Sequence, residues 1–400
     1  MPYTSNKYGG RIVKVLGMNG DNAIAYAMKQ INPDIVAGYP ITPQTIAIET
    51  FSEYVANGEV DTEFVAVESE HSAMSACIGA SAAGGRVVTS TASAGLAFMW
   101  EVLFIAASSR LPIVMNVMNR AFSAPLNIHC DHADSMGARD TGWIQIYGEN
   151  VQEGYDNIIQ AIKIAETARL PVMTCIDGFI VSHSVERFEA LDNDQVKNFI
   201  GIYEPKYSLL DLSHPITIGP VALNDYYMEH KKQEHEALKG ALKIVENVGN
   251  SFGEISGRNY NMLSKYKLDD ADIAIVAIGS TAGTVRATID IVRKKGINAG
   301  LLKLRLFRPF PLEAIINALK NIKVIVVMDR SDSFGSFGGP LFSEVRSAMF
   351  KNSDAEIVNY IYGLGGRDIT INDITKICNE AQDILKTGKS KEYVKYYGVR

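Results

Sequence analysis

The chain has 400 residues, of which 47% are hydrophobic and 21% are charged, and its formal net charge is −6. This length predicts two or three globular domains with ample core, and the acidic balance argues against a nucleic-acid backbone as partner. There is no run of about 18 apolar residues, and residues 1–11 are polar, so we expect neither a membrane span nor a signal peptide and a cytoplasmic location.

The four cysteines are widely scattered through the chain, at Cys77, Cys130, Cys175 and Cys378. Their spacing fits neither a disulfide framework nor a run of zinc or iron–sulfur ligands. If electrons pass through iron–sulfur clusters in this protein's reaction, we therefore expect those clusters on another chain.

Apolar runs and helix-like segments alternate through the first half of the chain. Strands are predicted over 12–16, 35–38, 62–67, 87–91, 113–118 and 172–176, and helices over 22–30, 43–55, 72–83, 96–107 and 151–167. Strict alternation of this kind predicts an α/β domain with a mainly parallel sheet covered on both faces.

The stretch from Ile35 to Thr45 combines a short buried strand with the start of a helix. We expect Thr42 at the N-cap and Pro43 at the first helical position, where a missing N–H is harmless. The loop between would lie at the carboxyl end of the sheet, where ligands of α/β folds bind. The alternative is that Thr42 only caps the helix.

Two further segments break the alternation. Residues 119–141 form a long stretch without a clear period, rich in charged residues and histidines, and such long loops are usually functional. Residues 186–267 contain several prolines and a charged helix predicted over 228–248. A second α/β unit follows from Ile273. We predict a first domain over 1–200, a connecting arm over 201–268 and a second domain over 269–400.

Glu70 and Arg120 follow predicted strands closely enough to be candidates for chemistry, in addition to Thr42. Glu70 comes one residue after Ser69, a plausible N-cap, and the simpler interpretation is that its carboxylate only stabilises the helix start. Arg120 directly follows the strand at 113–118, where a guanidinium faces either a structural carboxylate or an anionic ligand. His129 and His132 are spaced like metal ligands, but no third ligand is evident, so no metal site is predicted.

Two glycine-rich turns, 279–283 and 335–339, precede predicted helices of the second unit. Backbone N–H groups at a helix start can cradle a phosphate. Neither turn matches a dinucleotide-binding or P-loop pattern, and each fits an ordinary tight strand-to-helix turn.

Four motifs occur in order: Tyr39-Pro-Ile-Thr-Pro43, Val67-Glu-Ser-Glu-His-Ser-Ala-Met74, Asn116-Val-Met-Asn-Arg120, and the segment from Asp131 to Trp143. Together they resemble the α subunits of the 2-oxoacid:ferredoxin oxidoreductases, and of pyruvate:ferredoxin oxidoreductase in particular. The resemblance covers nearly the whole chain. It implies a pyrimidine-binding thiamin diphosphate domain followed by a domain similar to the C-terminal domain of transketolase.

The resemblance also implies roles for the three candidates. Glu70 matches the glutamate that bonds N1′ of the cofactor's aminopyrimidine and so favours the imino tautomer that removes the C2 proton. Thr42 matches a threonine that contacts the 2-oxoacid, and Arg120 matches the arginine that holds the substrate carboxylate. The implied reaction converts pyruvate, CoA and two oxidised ferredoxins into acetyl-CoA, CO₂ and two reduced ferredoxins.

The chain lacks the Gly-Asp-Gly…Asn motif that binds the diphosphate and Mg²⁺ in such enzymes, because Asp177-Gly178 follows Ile176. The resemblance thus implies a half-site completed by a β subunit, with iron–sulfur and gamma-type subunits alongside. Alternatives are a subunit acting on 2-oxoisovalerate or 2-oxoglutarate, a lipoamide-linked or transketolase-type thiamin enzyme, and a non-catalytic scaffold subunit.

Overall fold

A computed structural model describes residues 5–8 and 11–400, with side chains from Lys14 onward. The first unit is built on six strands rich in valine, isoleucine and small residues, most of them fully buried, as expected for a covered parallel sheet. These are β3 (Ile35–Gly38), β4 (Glu63–Ala66), β5 (Val87–Thr91), β6 (Ile113–Asn119), β7 (Ile144–Tyr147) and β8 (Val172–Asp177). All six pair in parallel, in the order β7-β8-β6-β5-β3-β4.

Helices cover both faces of this sheet, and a small antiparallel sheet lies beside it. The helices are α1 (Gly20–Ile31), α2 (Thr45–Ala56), α3 (Glu70–Ala82), α4 (Ser93–Phe98), α5 (Trp100–Ser108), α6 (Ala133–Gly137) and α7 (Val151–Ala168). The small sheet contains β1 (Ser5–Tyr8), β2 (Arg11–Met18) and β9 (Glu186–Ala190). Because β3 leads to β4 on one side and β5 leads to β6 on the other, strand order reverses between β3 and β5.

The remainder of the chain contains an arm and a second α/β unit. Helices α8 (Asn193–Ile200) and α9 (Tyr227–Ser256) flank residues 201–226, which have no regular structure. The second unit comprises β10 (Leu263–Tyr266), β11 (Ile273–Ala277), α10 (Thr281–Arg293), β12 (Ala299–Leu304), β13 (Leu306–Arg308), α11 (Leu312–Leu319), β14 (Val324–Asp329), α12 (Pro340–Met349), β15 (Glu356–Ile361), α13 (Ile371–Thr387) and β16 (Val394–Tyr396). Within the described residues, no helix is both long and apolar enough to span a bilayer.

The predicted fold class is confirmed. The two units are joined by polar contacts and by one strand of the second unit that pairs with the first sheet. The second sheet runs β10-β12-β11-β14-β15-β16 and is parallel except for β10. Strand β13 follows β12 in the chain but is not part of the second sheet; it pairs antiparallel with β7 of the first sheet. The buried Lys303 ammonium also lies 2.8 Å from Glu149, across the same junction. The domain boundaries at 200 and 269 stay predictions.

Several local predictions were wrong. Helix α2 begins at Thr45, so Thr42 does not cap it; Thr42 and Pro43 instead belong to a turn closed by the Gln44 amide, whose Oε1 accepts from Ile41 N–H at 3.1 Å. Residues 92–95, predicted as a loop, lie mostly in α4, and the helix predicted over 96–107 is interrupted at Met99. The long segment 119–141 contains α6, and strand β7 was missed.

Candidate functional site

The crevice between β3 and β5 is the place where this topology favours a ligand, because the loops after these two strands diverge. Residues 39–44 follow β3 and residues 92–95 follow β5. The end of β6 adds Arg120, and the start of α3, following β4, adds Glu70. All three sequence-predicted candidates therefore lie at the carboxyl edge of one sheet.

Glu70 is buried at the first position of α3. Ser69 caps this helix as predicted, and its hydroxyl accepts from Ser72 N–H at 3.2 Å. The Glu70 carboxylate faces α4 so closely that a Cβ built on Gly95 would lie 2.7 Å from Oε1. Among the described residues it has no hydrogen-bond or ion-pair partner, and the nearby buried Thr91 hydroxyl is also unpaired. Among the described residues, Glu70 is therefore a buried acceptor without a protein donor.

Arg120 and Thr42 lie in direct contact. The Arg120 guanidinium donates from Nη1 to the Thr42 carbonyl at 2.9 Å and from Nε to the Asn127 carbonyl at 3.3 Å. Arg120 is only 8% exposed, yet no carboxylate of the described residues lies within ion-pair distance of it. Buried cations are normally paired, so an unpaired guanidinium at a ligand crevice indicates an anionic ligand. The Thr42 side chain is exposed beside it.

Asp134 is a site residue that sequence reasoning missed. One oxygen of its buried carboxylate accepts from the backbone N–H groups of Ser93 at 2.9 Å and Arg120 at 3.0 Å, and the other accepts from the Asn119 amide at 2.7 Å. Burial raises the pKa of Asp134 to about 6. Because Ser93 opens α4 after β5 and Arg120 directly follows β6, this carboxyl group links the segments that follow these two neighbouring strands. Its sequence signals were its place in the long segment rich in charged residues and its place in the motif from Asp131 to Trp143.

His129 and His132 do not form a shared metal site. The His129 ring lies against Phe179, with centroids 5.1 Å apart, whereas His132 Nε2 lies 2.8 Å from Asp177 Oδ1. Within the described residues, Cys130, His132 and Asp177 bring three ligand-type atoms within 4.8 Å of one another. However, a guanidinium nitrogen of the buried Arg330 lies 4.0 Å from Asp177, and a cation beside another cation is disfavoured.

Both oxygens of the Asp177 carboxylate have hydrogen-bond partners within the chain. Besides His132, it accepts from the Ser280 hydroxyl at 2.5 Å and from Ser280 N–H at 3.2 Å. Burial acts to raise its pKa, but the charges of His132 and Arg330 and the hydrogen bonds from His132 and Ser280 outweigh burial and hold the pKa well below its usual value. Asp177 therefore joins the two units through hydrogen bonds to both of its oxygens.

The helix start that follows the second glycine-rich turn, 335–339, also binds a carboxylate of the protein itself. Asp329, at the end of β14, accepts from the N–H groups of Leu341 at 2.8 Å and Phe342 at 3.0 Å in the first turn of α12. Burial raises the pKa of Asp329 to about 6. At the first glycine-rich turn, 279–283, Ser280 N–H bonds the Asp177 carboxylate. Because both helix starts thus bind carboxylates of the protein, the interpretation as tight strand-to-helix turns is the better one for each.

Comparisons with known proteins show the family of the chain. Residues 26–250 match the thiamine diphosphate-binding model of pyruvate flavodoxin/ferredoxin oxidoreductase, and residues 271–374 match core domain II of pyruvate:ferredoxin oxidoreductase. The chain is 51% identical over 374 residues to pyruvate synthase subunit PorA of Methanocaldococcus jannaschii, covering 92% of this chain and 95% of that one. It is 48% identical to the PorA subunit of Thermotoga maritima, over 93% and 95% of the two chains.

Further matches include a subunit with another substrate in its name and a solved structure of low sequence identity with a similar fold. Ketoisovalerate oxidoreductase subunit VorA of Pyrococcus abyssi is 43% identical, over 96% of this chain and 97% of that one. Among solved structures, 2-oxoglutarate:ferredoxin oxidoreductase from Magnetococcus marinus superposes with a TM-score of 0.72 at 18% identity, over 92% of this chain and 65% of that one. The chain belongs to the pyruvate flavodoxin/ferredoxin oxidoreductase family, a family of thiamin-dependent oxidoreductases.

Proposed function

We propose that this chain is the α subunit of a multi-subunit pyruvate:ferredoxin oxidoreductase and supplies the pyrimidine side of its thiamin diphosphate site. The enzyme would convert pyruvate and CoA into acetyl-CoA and CO₂ and pass two electrons to ferredoxin. The observation that carries the proposal is the buried Arg120 guanidinium, which donates to two carbonyls and has no carboxylate partner among the described residues. It lies at the same sheet edge as the buried, unpartnered Glu70.

The residues present fit the pyrimidine end of thiamin diphosphate. The Glu70 carboxylate lacks a donor, and N1′ of an aminopyrimidine, when protonated, is a suitable one. Gly95 leaves the space next to the carboxylate free of a side chain. When bound, the cofactor supplies the carbanion chemistry that decarboxylates a 2-oxoacid. Glu70 would hold the proton at N1′.

Substrate recognition is assigned to Arg120 and Thr42. A 2-oxoacid presents a carboxylate with two oxygens, which matches the planar fork of a guanidinium. Nη1 and Nε of Arg120 each donate to a carbonyl, while the described residues offer Nη2 no acceptor, so Nη2 remains free for a ligand. The exposed Thr42 hydroxyl can bond the keto oxygen of the same molecule.

Pyruvate is the favoured substrate because the relatives named PorA are 44–51% identical to this chain, whereas the relatives named VorA are 42–43% identical. The second candidate is 2-oxoisovalerate. The test is ferredoxin reduction by the assembled complex with pyruvate, 2-oxoisovalerate and 2-oxoglutarate, compared as kcat/KM. A larger kcat/KM for a branched 2-oxoacid than for pyruvate would overturn the substrate assignment.

A partner β subunit should complete the cofactor site. Asp177, which the chain would need for a diphosphate-bound Mg²⁺, is engaged by His132 and Ser280. Next to the site, Phe98 and Trp100 are 58% and 44% exposed, which marks a surface that another protein can cover. Iron–sulfur clusters, gamma-type subunits and ferredoxin docking are assigned to other chains because the four cysteines here are buried and scattered.

The isolated chain should bind thiamin diphosphate weakly and show no iron–sulfur absorbance, because half of the site and the cluster ligands are missing. Calorimetric titration of the purified chain with thiamin diphosphate and Mg²⁺, together with its visible spectrum, checks this. The co-purified complex is the control and should bind the cofactor tightly. Tight stoichiometric binding by the chain alone would contradict the shared site.

Replacing Gly95 with alanine should displace the Glu70 carboxylate, because the new Cβ would lie 2.7 Å from Oε1 and 2.5 Å from the Thr91 hydroxyl. We expect slower exchange of the cofactor's C2 hydrogen in the assembled complex. Gly79→Ala is the matched control, since Gly79 is also helical and a Cβ added there would have nothing within 4 Å. Equal C2 exchange rates in the two variants would contradict the assignment of Gly95 to the cofactor site.

Thr42→Val should weaken 2-oxoacid binding while leaving the fold intact, because the exposed hydroxyl bonds no described residue and valine keeps the side-chain shape. Loss of one hydrogen bond contributes about 0.5–1.5 kcal/mol, which is roughly a 2- to 10-fold rise in KM for pyruvate. Steady-state kinetics beside a melting curve test this. A lower melting temperature with unchanged KM would assign Thr42 a structural role.

A further inference from the structure

The segment after Arg120 folds back on itself as a closed loop, defined here as the clamp loop, residues 121–132. Ala121 N–H bonds the His129 carbonyl at 3.0 Å, which closes the loop. Inside it, the Asn127 side-chain oxygen accepts from His129 N–H at 2.7 Å. The Asn127 backbone carbonyl is one of the two acceptors that hold the Arg120 guanidinium. The position of Asn127 therefore sets one side of the guanidinium.

The clamp loop is fastened to the second unit, mainly by a glycine turn at residues 363–366. The Asn127 amide donates to the Gly365 carbonyl at 2.9 Å, and Gly366 N–H donates to the Cys130 carbonyl at 2.6 Å. Gly365 N–H lies 3.3 Å from an Asp131 carboxylate oxygen, and the His132 N–H bonds the Arg330 carbonyl at 2.7 Å. These hydrogen bonds join segments that are far apart in the chain, since Asn127 and Gly365 are separated by 238 positions.

Glycine is required in this turn for two reasons. Gly363, Gly365 and Gly366 have φ values of +67°, +61° and +80°, a region that L side chains rarely adopt. In addition, a Cβ on Gly365 would overlap the Asn127 amide nitrogen, and one on Gly366 would overlap His129 Cβ. The absence of side chains lets the backbone of the second unit approach the clamp loop closely.

We infer that Asn127 and Gly365 are positioning residues through which the second unit holds Arg120 in the geometry that binds the substrate carboxylate. The inference rests on the proposed role of Arg120 and extends it, because it assigns the second unit a part in substrate recognition. Neither Asn127 nor Gly365 needs to touch the 2-oxoacid. Both act by fixing the carbonyl that orients the guanidinium.

The test uses the assembled complex with Asn127→Ala and Gly365→Ala. Each should raise KM for pyruvate roughly 2- to 10-fold, as expected for one lost hydrogen bond, and by a similar factor for 2-oxoisovalerate, since both substrates carry the carboxylate. KM for CoA should not change. Gly388→Ala is the matched control: Gly388 has φ +73° in the same unit and nothing within 4 Å, so it shares the backbone cost without the contact.

A double-mutant cycle with Arg120→Lys separates the binding role of Arg120 from the positioning role of Asn127. If Asn127 acts through Arg120, then Asn127→Ala should change KM little once Arg120 is lysine. Additive effects of the two substitutions on KM for pyruvate would overturn the inference. So would unchanged KM in both Asn127→Ala and Gly365→Ala while Arg120→Lys raises KM. Either outcome would leave the proposed function standing. Unchanged KM in Arg120→Lys itself would instead overturn the proposed function.

Discussion

Glu70→Gln should slow exchange of the C2 hydrogen of bound thiamin diphosphate by roughly 10²- to 10⁴-fold, the usual contribution of a positioned acid–base group. Glutamine keeps the size of the side chain but cannot hold the proton that a carboxylate holds at N1′. Because Glu70 has no described protein partner, no internal ion pair is lost, and cofactor binding should remain largely intact. The measurement is hydrogen–deuterium exchange at C2 in the assembled complex.

Glu68→Gln is the matched control for this experiment. Glu68 lies two residues earlier, is exposed, and bonds the Ser72 hydroxyl at the start of the same helix. Its substitution tests the effect of removing a negative charge from the helix start, where the helix dipole favours a carboxylate. Equal exchange rates in wild type and both variants would reduce Glu70 to a helix-start residue.

Arg120→Lys should raise KM for pyruvate about 10-fold or more while leaving KM for CoA unchanged. Lysine keeps the charge but loses the planar fork, and hydrogen bonds to charged groups contribute about 1.5–3 kcal/mol. A shorter ammonium also cannot reach the Thr42 and Asn127 carbonyls together in the geometry of the guanidinium. Steady-state kinetics with pyruvate and 2-oxoisovalerate, beside melting curves, provide the measurement.

Arg139→Lys is the control for this substitution, because Arg139 is half-buried in the same part of the chain and also donates to a carbonyl, that of Met136, at 2.8 Å. It should leave KM for every substrate unchanged. If Arg120→Lys behaves in the same way and only lowers the melting temperature, Arg120 is structural and the carboxylate assignment is wrong.

Local patterns in the sequence were enough to predict the fold class and the edge of the sheet at which the site lies. Apolar runs separated by helix-like segments predicted β3, β5, β6 and β8 closely, because burial on both faces of a parallel sheet demands such runs. Arg120 and Thr42 both follow strands of that sheet, so their common edge followed from topology alone. Their contact at 2.9 Å agrees with that expectation.

Predictions that depended on single turn residues were less successful. Thr42-Pro43 is a strong local signal for a helix start, yet α2 begins at Thr45, because the Gln44 side chain closes a turn and also bonds the Ser90 carbonyl of β5 at 2.8 Å. That second bond anchors the turn to a neighbouring strand. A tertiary hydrogen bond therefore overrides the local preference.

The identities of the residues that hold the site together came only from the tertiary structure. Asp134 links Ser93 to Arg120, Asp177 bonds Ser280 at 103 residues' separation, and Asn127 bonds Gly365 at 238. No helical or strand period relates such positions, because periodicity reports only which face of one element is buried. Contacts between elements depend on how the two units pack, and that packing decides which buried charged groups find an oppositely charged partner and which, like Glu70 and Arg120, have none among the described residues.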